Sequence, residues 1–166
     1  VLLRELGADR MALLEIDPQA AASASLGQVH RAKVKATGLE IALKVQYPGV
    51  EGAIDSDLKT LKALLSIAKL LPTGPRYDQL FDEVRVMLHQ EVDYRREFTE
   101  MIKFREWLKD DRRYIVPEPI EEFSTGRVLA SEWQGGFAVD GPEVKALPFE
   151  RRCRIAELAL DLYFRE

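Results

Sequence analysis

Residues Ala20–Lys44, AAASASLGQVHRAKVKATGLEIALK, constrain the fold more than any other stretch of the chain. Leu39–Tyr47 alternates: Ile41, Leu43, Val45 and Tyr47 fall on one face, and Ala42, Lys44 and Gln46 on the other. A period of two is that of a strand with its apolar row against a core. Val29–Lys35 favours a second strand, and Thr37-Gly38 supplies the turn between them. The pair forms an antiparallel hairpin preceded by a loop of small residues. Lys44 shares its face with small Ala42, which leaves room above it for a flat ligand. A lone lysine at such a position reads as solvent-facing; the small-residue loop upstream gives this one another use.

Ala22, Ala24, Gly27 and Val29 stand at the spacing of a kinase glycine-rich loop, G-x-G-x-x-G-x-V, with alanine in place of the first two glycines. Lys44 then falls where a kinase keeps its phosphate-binding lysine. A phosphate tail needs backbone N–H donors close by and a cation to offset its charge. Small side chains at 22, 24 and 27 let the backbone approach it. Alanine does so less freely than glycine, because its Cβ restricts positive φ, so the loop is expected to be stiffer. Such a lysine is oriented by a carboxylate on a helix, and HQEVDYRREF offers Glu91, Asp93 and Glu97. Asp93 and Glu97 share a face only if their helix is continuous. LASEWQGG, residues 129–136, resembles the hinge between kinase lobes, with the Glu132 carbonyl and the Gln134 amide, flanking Trp133, available to adenine.

The remaining elements follow from periodicity and breakers. Val1–Leu6 reads as a helix end capped by Gly7, with Leu2, Leu3 and Leu6 on one face. Asp9–Ile16 reads as one or two further helical turns, and Asp17-Pro18 as a turn. After Pro48-Gly49, Val50–Leu71 is an amphipathic helix whose stripe includes Ile54, Leu58, Leu61, Leu64 and Leu65. It is expected to pack on the helical region Tyr77–Lys109, itself interrupted near Val92-Asp93, with Leu61 and Leu64 buried; Pro72-Thr73-Gly74-Pro75 separates the two. Tyr114–Val116 reads as a short strand, and Ile120–Phe123 with Arg127–Trp133 as a hairpin around Ser124-Thr125-Gly126. Gly135-Gly136 is a joint, Pro142 and Pro148 bracket a loop, and Phe149–Glu166 is helical with Ile155, Leu158, Ala159, Leu162 and Tyr163 on one face.

Composition narrows the function. A net charge of −4 gives no basic patch for nucleic acid. Cys153 is the one cysteine, which fits a reducing compartment and reads as packing. His30 and His89 lack metal-ligand spacing to each other. No apolar run approaches the ~20 residues of a membrane span. The chain lacks a signal-peptide pattern and an initiator Met, and its last residues stop inside a helix, so it reads as an excised piece.

ASASLGQVHRA, LKVQYPGV and EVDYRREF together resemble the UbiB family of atypical protein-kinase-like proteins, which support ubiquinone (coenzyme Q) biosynthesis. The resemblance runs over nearly the whole chain, from Glu5 onward. It implies nucleotide-binding roles for Ala22, Ala24, Ser25, Gly27 and Lys44. It also implies that Glu97 pairs with Lys44 and that Glu91 and Asp93 form the family's E-x-D motif. In the family that motif meets a K-x-G-Q motif, which would precede Val1; the catalytic-loop and D-F-G residues, with the Mg²⁺ ligands, would follow Glu166. Ser23 stands where many members carry a third alanine.

The expected fold is α+β: a kinase-like small lobe over residues 1–134, with an inserted helix at about 50–71, then the hinge exit and first helix of a large lobe over 135–166. The expected ligands are ATP and Mg²⁺, with Ala22, Ala24, Ser25, Gly27, Val29, Ala42, Lys44, Glu97, Glu132, Trp133 and Gln134 around the nucleotide. The expected activity is that of an ATPase or a small-molecule or lipid kinase in ubiquinone production. It would act in the cytoplasm or at the inner face of a membrane (the matrix side in a mitochondrion), with lipid or pathway enzymes as further partners. The competing readings are a nucleotide-gated scaffold without catalysis and an ordinary protein or aminoglycoside-type kinase; the Q-Y-P-G-V and E-x-D segments argue against the second.

Overall fold

Four antiparallel strands carry the fold of the computed structural model, which describes residues 1–68 and 75–165. They are β1 (Leu14–Ala24), β2 (Gly27–Val34), β3 (Glu40–Gln46) and β4 (Val128–Glu132), paired in that order. The apolar row expected on β3 forms the core: Ile41 and Leu43 are fully buried and Val45 nearly so. They meet Ala32 of β2, Val128 and Ala130 of β4, Phe123, and Leu6 of the first helix. Tyr47, placed in that row by alternation, lies beyond the strand and is exposed.

Helix α1 (Leu2–Ala12) bends at Gly7, whose φ of 75° only glycine adopts readily, so one helical piece ends and another begins where a cap was expected. Leu2 and Leu6 face the core, whereas Leu3 is exposed, because the expected apolar face is narrower than three leucines. Of the helical turns expected over Asp9–Ile16, those past Ala12 do not form: Leu14, Glu15 and Ile16 belong to β1, and Asp17-Pro18 lies within that strand instead of ending it. The strand tolerates the proline because β1 is the sheet edge and its pairing slips between Ile16 and Ala20.

Gly49, with φ 83°, caps the start of α2 (Val50–Ile67). The last turn expected up to Leu71 and the break at Pro72-Thr73-Gly74 lie outside the described residues, as does Glu166. Helix α3 (Pro75–Glu91) runs antiparallel to α2: His89 meets Asp55 near one end, while Lys62 bonds Asp78 and lies over the Phe81 ring near the other. α2 therefore turns its Asp55–Leu58–Lys62 side to α3. Leu61 and Leu64, expected to be buried, are 47% and 59% exposed. The stripe is wider than the single helix that covers it.

Helix α4 (Tyr94–Leu108) starts after the interruption expected at Val92-Asp93 and packs on β4. Tyr114–Val116 forms no ladder. Glu121–Phe123 is a 3-10 turn rather than a strand. There the Ser124 hydroxyl donates to the Ile120 carbonyl at 2.7 Å and accepts from the Ala130 N–H at 3.0 Å, which draws the segment into a turn. The loop expected between the prolines holds a one-turn helix, α5 (Pro142–Lys145), before α6 (Phe149–Tyr163). On α6, Ile155, Leu158 and Leu162 are half-buried, while Ala159 and Tyr163, expected on the same face, are exposed. The segment after α4 is joined to the end of α6 by Asp111, which binds Arg113 at 2.7 Å and Arg165 at 2.6 Å, and by Asp161, which binds Arg113 at 3.0 Å. The two guanidinium groups hold the Asp111 carboxyl well below the usual carboxylate range. Among the described residues, no helix is long and apolar enough to cross a membrane.

Candidate functional site

The sheet register assembles one face from residues far apart in sequence. Ala22, Val29, Lys44 and Leu129 are successive cross-strand partners, and Arg31, Ala42 and Ser131 form the neighbouring row. Cross-strand partners share a face, so Ala22, Val29, Ala42 and Lys44 lie together on the side opposite the core. Ala24 pairs with Gly27, which leaves Ser25-Leu26 as a two-residue connection. The small residues thus form the tip of a β-hairpin, with Ser25 exposed at its end, rather than a free loop. Gly27 is required there by packing: a Cβ would run into the Val45 carbonyl oxygen and lie 3.0 Å from the Tyr94 hydroxyl.

Of the three carboxylates the sequence offers, the structure brings Glu97 to Lys44. The ammonium lies 2.7 and 2.8 Å from the two carboxylate oxygens. Glu91 is the exposed last residue of α3. Asp93 is the N-cap of α4; its side chain accepts from the backbone N–H groups of Arg95 at 3.1 Å and Arg96 at 3.3 Å. The helix is not continuous through Asp93, so the shared face with Glu97 does not form. Lys44 is 25% and Glu97 42% exposed, and a pair so open to water adds at most about 1 kcal/mol to stability. What it does is keep a cation beside the small residues Ala22 and Ala42 on that face.

Two residues of this region escaped the sequence reading. Gln46, on the Lys44 face, is buried, and its amide donates to the Val92 carbonyl and, at 3.4 Å, to the Gly126 carbonyl. It fastens the α3–α4 junction to β3, two residues beyond the lysine. Tyr94 is 1% exposed and its ring lies 4.8 Å from the Lys44 ammonium. Burial, then the charges of Glu97 and Glu91, push its hydroxyl up to about 12. The signals were present: Gln46 shares the alternation of Lys44, and Tyr94 lies one helical turn before Glu97.

At the far end of β4, the Trp133 N–H donates to the Glu40 carbonyl at 3.0 Å and the Glu132 N–H to the Glu118 carbonyl at 2.9 Å. Gln134 follows, exposed. The Arg31 guanidinium lies 5.2 Å from the Trp133 ring centre and pairs with Glu40 at 2.6 Å. His30 bonds the Asp17 carbonyl and His89 the Asp55 carboxylate; Cys153 is half-buried on α6. Among the described residues, no group of three or more His, Cys, Asp or Glu could hold a metal ion.

This geometry is accompanied by similarity to known proteins. The ABC1 atypical kinase-like domain matches residues 1–166. The chain belongs to this family. Among ABC1 relatives, it is 41% identical, over all of its length, to the mitochondrial atypical kinase COQ8B of Rattus norvegicus. It is 37% identical, over 89% of its length, to the mitochondrial atypical kinase COQ8 of Saccharomyces cerevisiae. It covers 31% and 28% of those relatives, so it spans less than a third of their length. A solved Rv3197–erythromycin complex from Mycobacterium tuberculosis matches with a TM-score of 0.73 and 31% identity, over 92% of this chain and 38% of that one. The α+β, kinase-like architecture of the ABC1 chain is thus shared with a solved structure.

Proposed function

We propose that residues 1–134 are the ATP-binding small lobe of an atypical kinase and that residues 135–166 begin its large lobe. The observation that carries this reading is the Lys44–Glu97 pair, set on the same sheet face as Ala22, Val29 and Ala42 beside the Gly27 turn. A helix-borne carboxylate holding a strand-borne lysine is the arrangement that presents a cation to nucleotide phosphates in kinases. The residues fit such a ligand. Ala22, Ala24 and Gly27 admit close backbone approach, Ala42 and Val29 give small and apolar walls for a base, and Ser25 lies at the hairpin tip. Glu132, Trp133 and Gln134 are the hinge that would hold adenine. Glu91 and Asp93 serve at the helix junction, where Asp93 caps α4 and so sets the height of Glu97. Mg²⁺ would neutralise the phosphates; its ligands are assigned to no residue of this chain.

For the whole protein the reading is an atypical kinase or ATPase acting in ubiquinone biosynthesis, on a small molecule or lipid, within mitochondria or at the inner face of a membrane; the names of the relatives, mitochondrial atypical kinases, support the kinase class and the mitochondrial setting. Lipid or enzymes of that pathway are the partners this implies. The test is calorimetric titration of the chain with ATP beside the Lys44→Ala variant. Affinity lost in the variant supports the reading, and equal affinity in both overturns it.

A further inference from the structure

Lys44 ends a flexible four-carbon stem, and its carboxylate partner is nearly half in water. An ammonium held by Glu97 alone could follow that side chain out of the site or leave it when a polyanion arrives. Tyr94 is the contrasting neighbour: almost wholly buried, packed with Phe98 and Leu129, and rooted at the first residue of a capped helix. Its ring supports the ammonium from 4.8 Å, and its hydroxyl reaches the hairpin turn at Gly27. One rigid side chain thus touches both parts that would bind phosphate, the cation and the turn. We propose that Tyr94 is a positioning residue of the phosphate subsite, its ring seating Lys44 and its hydroxyl setting the height of the Gly27 turn above the lysine.

The inference rests on the nucleotide-binding reading above and deepens it. Ring and cation attract through the electron-rich face of the ring, so the lysine keeps a partner while its charge turns from Glu97 toward phosphate. The hydroxyl, pushed up to about 12, stays protonated near neutrality and sets no negative charge against the phosphates. No other aromatic side chain among the described residues lies over Lys44.

The test measures ATP and adenosine affinities of wild type, Lys44→Ala, Tyr94→Phe and Tyr94→Leu by competition against trinitrophenyl-ATP. Adenosine reads the hinge without the phosphates. Tyr94→Leu is expected to weaken ATP roughly tenfold, the scale of a partly desolvated cation–ring contact, and to leave adenosine unchanged. Tyr94→Phe, which keeps the ring, should recover most of the loss, and the roughly two- to threefold deficit expected to remain reads the hydroxyl at the Gly27 turn; full recovery would strike the hydroxyl from the inference. Because Tyr94→Leu removes a buried ring and could unfold the lobe, the wild type gives a second readout: Lys44 side-chain protons shifted upfield in its NMR spectrum by the ring above which they lie. ATP affinity unchanged in Tyr94→Leu, equal losses for ATP and adenosine, a Phe variant no better than Leu, or unshifted Lys44 protons would each overturn the inference. If Lys44→Ala alone weakens ATP, only the role of Tyr94 fails. If the wild type binds no ATP, the nucleotide reading fails and this inference with it.

Discussion

Gln46→Leu isolates the contact that fastens the α3–α4 junction to the sheet. Leucine matches glutamine in bulk, so the substitution removes hydrogen bonds with little change in packing. The wild-type amide donates to the Val92 carbonyl and, at the long distance of 3.4 Å, to the Gly126 carbonyl. Gly126 keeps the Tyr94 N–H as a donor at 3.3 Å, so the cost falls mainly on Val92. A buried carbonyl left without its donor costs about 1–3 kcal/mol, and the gain from burying an apolar side chain offsets part of it, leaving a loss of about 1 kcal/mol. With a urea m-value of about 2 kcal/mol/M, the unfolding midpoint should fall by about 0.5 M with its slope unchanged. Hydrogen exchange at the first amides of α4 should accelerate more than in the β2–β3 ladder, because the loosened element is the junction. A midpoint equal to that of wild type would refute the claim that Gln46 holds α4 in place.

Gly27→Ala drives a Cβ into the Val45 carbonyl, a backbone atom that cannot swing aside, and should cost about 1–3 kcal/mol; an unchanged melting temperature would show that the turn relaxes freely. Leu61→Asp and Leu64→Asp should each stay within about 0.5 kcal/mol of wild type in thermal unfolding, since both side chains are half in water; a loss of several kcal/mol would mean that face is covered. The folded state raises the Tyr94 hydroxyl from 10.0 to about 12, so it holds this proton more tightly than the unfolded chain does. That stabilisation is fully present below pH 10.0 and is lost as pH climbs through that window to about 12. Urea midpoints should therefore fall less steeply there for Tyr94→Phe than for wild type, and parallel curves would contradict the placement of the ring.

The β2–β3 hairpin and the face of Lys44 were legible because alternation is a local signal: Ile41, Leu43 and Val45 identify the core side without knowledge of any partner. The break at Val92-Asp93 was legible for the same reason, since a helix cap is written in neighbouring residues. What could not be read was set by distant partners. Gln46 looks like a surface glutamine until Val92 and Gly126, 46 and 80 residues away, close over it. The stripe of α2 announces an apolar face but not its cover, and α3 takes only the side of Leu58 and Lys62. Asp17-Pro18 signals a turn by composition, yet the position of β1 at the sheet edge lets the strand pass through it. The choice among Glu91, Asp93 and Glu97 stayed open in the residues alone and was narrowed only by family resemblance; in the structure it depends on α3 ending at Glu91 and Asp93 capping the start of α4.

Nucleotide bound on the face beside Lys44 must perturb the backbone amides that line it. Backbone amide chemical-shift mapping during titration with ATP tests this binding most directly. Saturable shifts are expected, confined to Ala22–Gly27, the Lys44 strand, the start of α4 and Glu132–Gln134, all abolished or displaced to much higher ATP in Lys44→Ala. Shifts clustered elsewhere, such as on the exposed flank of α2 and α3, or a pattern indifferent to Lys44→Ala, would contradict binding at that face.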